Sequence, residues 1–218
     1  MKKNILLFLI FISFFFMSNA QENKMAYGFE AGANLSTAYG KNVGKEQNGI
    51  VAGLHLGGHF KINITHHFGI KTLLAYDQVG SSYGALVFEN STATGLVNGE
   101  LVNKLNYLDL PLLAEYSSGN KIKFNINAGV FAGYLLKYTL ITKTDEPGVR
   151  AKRTYPDTRK SMNFGVSAGT GIQVPITNTI KLDIGIQDNL GLSNTYKSNG
   201  TKKINSLAVI AGLTFALK

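Results

Sequence analysis

Residues 104–136 read "KLNYLDLPLLAEYSSGNKIKFNINAGVFAGYLL", and this stretch decides the fold. After a short polar turn at residues 117–120, the chain alternates between two kinds of side chain. The apolar and aromatic set comprises Ile122, Phe124, Ile126, Ala128, Val130, Ala132, Tyr134 and Leu136. The intervening set, polar or glycine apart from one phenylalanine, comprises Lys123, Asn125, Asn127, Gly129, Phe131 and Gly133. Because successive side chains of a strand point to opposite faces, this alternation predicts a β-strand, with residues 104–116 as its hairpin partner.

The length of the second strand indicates the kind of sheet. It spans about fifteen residues, whereas strands of soluble domains usually have about 5–6. A tilted strand that crosses a bilayer needs about 9–11 residues. An unbroken apolar face opposite a polar, glycine-rich face suits a barrel with lipid outside and a polar lumen inside. The hairpin therefore predicts a transmembrane β-barrel.

The same pattern recurs along the chain. Connections alternate between long, polar segments and short turns, and both termini fall on the short-turn side. These features predict an all-β fold: an eight-stranded antiparallel up-and-down transmembrane barrel with short periplasmic turns and long extracellular loops. Within the long segment 80–103, residues 83–88 and 95–102 can extend the strands beyond the bilayer as a hairpin. The expected strands are residues 27–35, 49–62, 68–77, 104–116, 122–136, 160–174, 180–187 and 207–217.

The N-terminus has the pattern of an export signal. Lys2 and Lys3 precede an apolar run at residues 5–17, and Ser18-Asn19-Ala20 supplies small residues for cleavage. A membrane anchor is the alternative, but a spanning helix needs about 20 apolar residues. We therefore expect a cleaved signal peptide at residues 1–20, a β-barrel domain at residues 21–218, and an outer-membrane location.

The amino-acid composition excludes several kinds of site and partner. The absence of cysteine excludes disulfides, cysteine metal sites, cysteine nucleophiles and a lipoprotein anchor. The net charge is +9, and +7 without the two lysines of the expected signal peptide. For an exported chain, the partners expected from this charge are outer-membrane lipids and the phosphates of lipopolysaccharide, not nucleic acid.

A soluble eight-stranded barrel is the main structural alternative. Its apolar face would point inward around a ligand, and its exterior would be polar. The set that we assign to the interior is instead rich in glycine and charge, and the chain contains no tryptophan. Strand length and the alternation of long and short connections favour the membrane barrel.

Several segments resemble a known family, the PorT-like, porin-family outer-membrane β-barrels. The resemblance rests on "FEAGANLS" (29–36), "LNYLDLPLLAEY" (105–116), "NINAGVFAGYLL" (125–136), "FGVSAGTGIQV" (164–174) and the terminal "VIAGLTFAL" (209–217). The Tyr-x-x-x-Pro element, Tyr107 and Pro111, is its most specific part. The resemblance covers essentially the whole expected mature chain, and it implies an eight-stranded antiparallel barrel in a bacterial outer membrane.

The inward-facing charges are the first candidate site. An eight-stranded barrel has an interior just wide enough for side chains, and buried charges must be paired. We expect a closed lumen charge network; a narrow gated conduit or a small-ligand site is the alternative. The members of the expected lumen charge network are Glu30, Lys61, Lys71, Asp77, Asp109, Glu115, Lys123, Lys181 and Asp183.

A basic loop is the second candidate site. It would contact lipopolysaccharide phosphates or a partner protein, or simply remain solvated. Its members are Lys143, Arg150, Lys152, Arg153, Arg159 and Lys160.

Two further expectations concern single residues. We expect a girdle of tyrosines at the membrane interface, namely Tyr107, Tyr116, Tyr134 and Tyr138, and a β-bulge at Pro111.

The histidines do not predict an enzyme. His55 and His59 lie four residues apart on a strand, so their Cα atoms are roughly 13 Å apart, too far to share one metal ion. Gly-x-Ser-x-Gly and His-Glu-x-x-His elements are absent from the sequence. We therefore assign no catalytic, cofactor-binding or metal-binding residue and no cofactor, and a lipid-modifying hydrolase is only a distant alternative.

Together these observations predict a non-enzymatic barrel with a structural or surface-interaction role. As the PorT-like resemblance implies, it would hold surface loops, within a larger export or adhesion assembly that includes other envelope proteins. Narrow, porin-like passive transport of small solutes is the alternative function.

Overall fold

A computed structural model of the 218-residue chain describes residues 25–41, 49–89, 96–144, 150–154, 159–195 and 201–217. The expected signal peptide and part of each expected long loop lie outside these residues. No helix among the described residues is long and apolar enough to span a membrane. The strands are β1 (Met25–Tyr39), β2 (Val51–Asn63), β3 (Phe68–Glu89), β4 (Leu96–Ser118), β5 (Lys123–Thr144), β6 (Arg150–Thr154), β7 (Met162–Pro175), β8 (Ile180–Gly191) and β9 (Lys203–Leu217).

Eight of these strands close into a ring. Each pairs antiparallel with the next along the chain, β5 pairs with β7, and β9 returns to β1. The short strand β6 lies outside the ring and pairs with residues 139–143 of β5. The predicted all-β, eight-stranded antiparallel barrel is therefore confirmed, with β6 as an addition that the sequence pattern did not indicate.

Side chains alternate between the two faces of the barrel wall. In β1, Phe29 is 63% exposed, whereas its neighbour Glu30 is 7% exposed. In β5, Phe124 is 65% exposed on the same outer surface. Burial of one large apolar side chain contributes about 1.5–3 kcal/mol, so a continuous outer apolar surface is stable only in contact with lipid. This orientation is opposite to that of a soluble barrel with an apolar interior.

The two ends of the barrel differ. At one end, which we call the short-turn end, residues 64–67, 119–122 and 176–179 connect β2 to β3, β4 to β5 and β7 to β8. At the opposite end, the wide end, β3 and β4 pair as far as Glu89 and Leu96. The expected hairpin extension of residues 83–88 and 95–102 is confirmed for its described part. The segment expected as a loop after residue 137 instead begins as strand, because β5 continues to Thr144.

A β-bulge interrupts the pairing of β4 with β5. Tyr107 pairs with Leu135, but Asn106 pairs with Lys137, so Leu136 is an additional residue in β5. The expected bulge at Pro111 is wrong, because Pro111 pairs with Phe131 in an uninterrupted register. The actual bulge lies four residues from the proline along β4, and it reverses the inward and outward alternation of β5 beyond it.

Candidate functional site

The centre of the lumen is a charge network around Glu30. One carboxylate oxygen lies 3.2 Å from His55 Nε2, and the other lies 2.7 Å from Lys71 Nζ and 3.2 Å from His59 Nδ1. These residues come from β1, β2 and β3, and alternation directs all of them inward. Glu30, His55 and His59 are buried, so their polar groups contact one another instead of water.

Two further carboxylates extend the network towards the wide end. Asp77 Oδ1 lies 2.7 Å from His55 Nδ1 and accepts a hydrogen bond of 2.6 Å from Asn34 Nδ2. Asp109 is buried beside Asp77 and packs against the backbone of Gly133. A Cβ atom at position 133 would overlap Asp109 Oδ1, so only glycine allows this close approach.

A second branch runs towards the short-turn end. His59 Nε2 lies 2.8 Å from Thr214 Oγ1, which donates to Asp183 Oδ2 at 2.5 Å. Gln173 Nε2 donates to the other oxygen of Asp183 at 2.6 Å, and Lys181 Nζ donates to Gln173 Oε1 at 3.3 Å. Side chains of β2, β7, β8 and β9 are thereby connected across the lumen.

A separate ion pair lies near this branch. Lys61 Nζ is 2.5 Å from Glu115 Oε1, which also accepts a hydrogen bond from Ser117 Oγ. Lys123, the remaining member of the expected network, lines the cavity at the short-turn end. All nine expected members therefore lie on the lumen side. The contacts around Glu30 branch in two directions, Lys61 and Glu115 pair separately, and Lys123 lines the cavity.

An apolar layer lies in the lumen beyond Asp109. It consists of Val79, Leu105, Tyr107, Tyr138 and Ile204, with Leu135 and Leu140 packed against it. Tyr107 and Tyr138 are 1% and 7% exposed, so their expected place in an outer girdle is wrong. For Tyr107, strand alternation itself indicated the interior. For Tyr138, the bulge at Leu136 changes the face. Tyr116 and Tyr134 are exposed on the outer surface, as expected.

Two cations lie above the apolar layer, at the wide end. Arg159 is 2% exposed, places its guanidinium carbon 4.2 Å from the centre of the Tyr138 ring, and donates to Asn103 Oδ1 at 2.8 Å. Lys202 donates to the Tyr83 hydroxyl at 2.6 Å. Burial lowers the pKa of the Lys202 ammonium, and the hydrogen bond from this lysine to Tyr83 opposes the shift.

The expected basic loop is therefore not one surface. The expected place of Arg159 in this loop surface is wrong. Its side chain enters the barrel mouth because an aromatic ring and an amide oxygen hold the guanidinium there. Lys143, Arg153 and Lys160 are exposed, and Lys143 lies 3.1 Å from Glu100. The side chains of Arg150 and Lys152 lie outside the described part of the structure.

The expected charge network omitted several lumen residues that belong to it. Asn34, His55, His59 and Thr214 all have inward positions in the predicted strands, and the sequence already placed Asn34 and the two histidines on the lumen face, but not in contact with the charges. Arg159 and Lys202 carry no signal of alternation, because they precede strands and are held by tertiary contacts. Within the described ranges, no group of histidine, aspartate and glutamate side chains is arranged to hold a metal ion.

Comparison with solved structures finds small outer-membrane barrels. Neisserial surface protein A is 15% identical, with 88% of this chain and 99% of that chain covered and a TM-score of 0.48. OprG from Pseudomonas aeruginosa is 10% identical, with 89% and 96% covered and a TM-score of 0.48. Outer membrane protein W of E. coli is 13% identical, with 91% and 100% covered and a TM-score of 0.47. No curated protein sequence matches the chain.

A family model gives the assignment. The model of the outer membrane protein beta-barrel domain matches residues 19–197, which is most of the chain and includes every strand except β9. The closed ring and its apolar outer surface are what that family description requires. The chain therefore belongs to the outer membrane protein beta-barrel domain family, and its place is the outer membrane.

Proposed function

We propose that this protein is a non-enzymatic barrel with a closed lumen, which acts through the part of its wall that stands clear of the outer membrane. The observation that carries the proposal is the filling of the lumen in successive layers. The network around Glu30 is followed by the apolar layer and then by Arg159 and Lys202. A water-filled channel needs a continuous polar path, and we infer that the buried apolar side chains of β3, β4, β5 and β9 interrupt it.

The roles of the histidines also favour a non-enzymatic protein. His55 contacts Glu30 and Asp77, and His59 contacts Glu30 and Thr214. Both rings are thus engaged with neighbouring lumen side chains. General-base catalysis instead requires a ring nitrogen directed at a nucleophile that substrate can reach.

The wall at the wide end is much taller than a membrane requires. Strand β4 has 23 residues, which at about 3.3 Å each span about 76 Å along the strand and, at a tilt of about 35–45°, rise about 54–62 Å along the barrel axis. The apolar band of a transmembrane barrel is about 25 Å tall. The parts of β3, β4 and β5 that are not needed to cross the bilayer therefore extend from it as a sheet, to which β6 adds a further strand. We propose that this wide-end sheet faces the cell exterior and carries the interaction role.

Lipopolysaccharide is the partner that we propose at the base of this sheet. Lys104 and Lys137 lie on the outer face of the wall, close to exposed Leu108 and Tyr134, and Lys137 is exposed. Asn106, between them, pairs with Lys137. Cations at the edge of an apolar belt lie level with lipid headgroups, where they pair with phosphate. The variant K104Q/K137Q should retain less lipopolysaccharide during purification than K143Q/K160Q, measured by mass spectrometry.

Three finer assignments accompany this proposal. The segments quoted above, with Tyr107 and Pro111, support membership of the PorT-like group and a place in an export or adhesion assembly with other envelope proteins. The N-terminal pattern supports cleavage after Ala20. The short connections between strands support a periplasmic location for the short-turn end. N-terminal sequencing of protein purified from outer membranes tests the cleavage site: Gln21 is the expected first residue.

Solute release from lipid vesicles tests the closed lumen. Vesicles that contain the folded protein should release glucose and glycine at the rate of protein-free vesicles. The variant Y107A/Y138A, which removes two rings from the apolar layer, should release them faster. The matched control Y116A/Y134A removes two rings from the outer surface and should behave as wild type. Fast release by the wild-type protein would contradict the proposal and make narrow passive transport its function.

A further inference from the structure

A basic cavity opens at the short-turn end of the barrel. Its volume is about 330 Å³, which is at the lower end of the roughly 300–1,000 Å³ of small-molecule sites. Four lysines and two histidines line it, and no carboxylate stands among its described lining residues. The basic residues are Lys61, Lys121, Lys123, Lys181, His66 and His67.

Three of these lysines, Lys61, Lys123 and Lys181, face the lumen and not the lipid. Lys61 lies between the exposed Phe60 and Ile62, and Lys123 lies between the exposed Ile122 and Phe124. Because strand side chains alternate, both lysines point inward. Lys181 is directed the same way, since its ammonium donates to the buried Gln173. These three positive charges therefore lie inside the barrel mouth, whereas Lys121, His66 and His67 belong to the exposed turns around it.

The turns that surround the cavity are fixed by their own hydrogen bonds. Thr65 Oγ1 accepts from the backbone N–H groups of His67 and Phe68. Thr177 Oγ1 accepts from the N–H groups of Thr179 and Ile180 in the same way. His67 also contacts the carbonyl of Ser117 through Nδ1 at 3.0 Å, so adjacent turns hold each other. A site with such fixed walls loses little entropy on binding.

The carboxylates nearest the cavity already have partners. Glu115 accepts from Lys61 and Ser117, and Asp183 accepts from Gln173 and Thr214. Both line a smaller cavity of about 50 Å³ that shares Lys61, Gln173 and Thr214 with the larger one. Among the described residues, four ammonium groups and two carboxylates lie at this end, and the low-dielectric wall strengthens the field of these charges.

We propose that this cavity binds a small multivalent oxyanion, of the size and charge of pyrophosphate or a phosphorylated metabolite. Lysine ammonium groups bind phosphate as point charges, and several converging charges favour a ligand with more than one negative charge. The short-turn end opens to water, so the anion enters directly. The network above the cavity prevents its passage through the barrel, which makes this a binding site and not a conduit.

Isothermal titration of the folded protein with pyrophosphate, in an uncharged detergent, tests the proposal. We expect saturable binding that weakens as salt is added, because screening reduces exposed electrostatic attraction. The variant K123Q/K181Q should bind at least about tenfold more weakly, as expected when charge-assisted hydrogen bonds are lost. The control K143Q/K160Q removes the same charge at the opposite end and should bind as wild type.

Three outcomes would overturn the proposal. One is the absence of binding. Equal weakening by both double variants would overturn it likewise, since general positive charge would then explain the result. The third is loss of pyrophosphate binding in nanodiscs of phosphatidylglycerol but not of phosphatidylcholine, since a lipid headgroup would then be the occupant. Unheated gel migration checks that K123Q/K181Q is folded, and the single variant K121Q in the turn provides a milder second test.

Discussion

Glu30 is the residue on which the lumen cations converge. Replacing it with alanine leaves Lys71 and two histidines in the barrel interior without their shared carboxylate. Removing one partner of a buried ion pair costs about 3–5 kcal/mol. We expect E30A to lower the free energy of unfolding by that amount in urea titrations of protein folded into lipid vesicles.

The exposed pair of Lys143 and Glu100 provides the control for this prediction. Both side chains are more than a third exposed, at 46% and 39%. Exposed ion pairs contribute about 0–1 kcal/mol, so K143A should unfold within about 0.5 kcal/mol of wild type. Equal stability of E30A and K143A would contradict the role of Glu30 as the centre of the network.

Gly119 is a second residue whose replacement has a defined cost. Its φ angle is +119°, and a Cβ atom there would overlap the carbonyl oxygen of Ile122 in the same turn. A side chain in the left-handed region costs about 1–2 kcal/mol, so G119A should lower the unfolding free energy at least that much. Gly84 has open space around its Cβ position, and G84A should leave stability unchanged. If both variants unfold alike, the turn does not have this conformation.

At the scale of single residues, alternation predicted which side chains enter the lumen but not which ones touch. Glu30, Asp77 and Asp109 were placed inward from sequence alone. Their partners depend on the stagger between strands, which a strand's own sequence does not encode. Arg159 was misplaced because contacts of a connecting segment follow from tertiary packing.

Among the elements, the bulge in β5 has the clearest consequence. Deleting Leu136 would restore an uninterrupted register in which Lys137 still pairs with Asn106 and Tyr138 still pairs with Leu105, so Tyr138 would keep its inward face. Its hydroxyl would then keep the hydrogen bond of 2.6 Å to Asn103 Oδ1, and Arg159 would keep its contact with the Tyr138 ring. We therefore expect the deletion to retain the heat-dependent gel shift of the folded barrel, and loss of the shift would contradict this register. The substitution L136A keeps the bulge at an exposed position and should retain the shift.

Strand positions were predictable wherever one face meets lipid. The segments that form β1, β2, β5, β7, β8 and β9 were all found, because an apolar outer face produces a strict alternation. The wide-end parts of β3 and β4 were only suggested, since strands outside the bilayer need no apolar face. The short strand β6 was missed for the same reason, because its sequence, "RAKRT", contains mainly charge.

For the molecule as a whole, the order of layers in the lumen determines whether solutes can pass through the barrel. A basic cavity lies at the short-turn end, the network around Glu30 lies next, and an apolar layer and two cations lie towards the wide end. The sequence predicted a filled interior from the strand number alone. The apolar layer was not predicted, because Val79, Leu105 and Ile204 meet only when the ring is closed.

Single-channel recording in a planar lipid bilayer tests the closed lumen most directly. The protein is first inserted and its folded state is verified by faster gel migration of the unheated sample. We predict no steady conductance above the protein-free bilayer for the wild-type chain, and measurable conductance for Y107A/Y138A. Stable, single-step openings of the wild-type protein would contradict the closed lumen and make the barrel a channel.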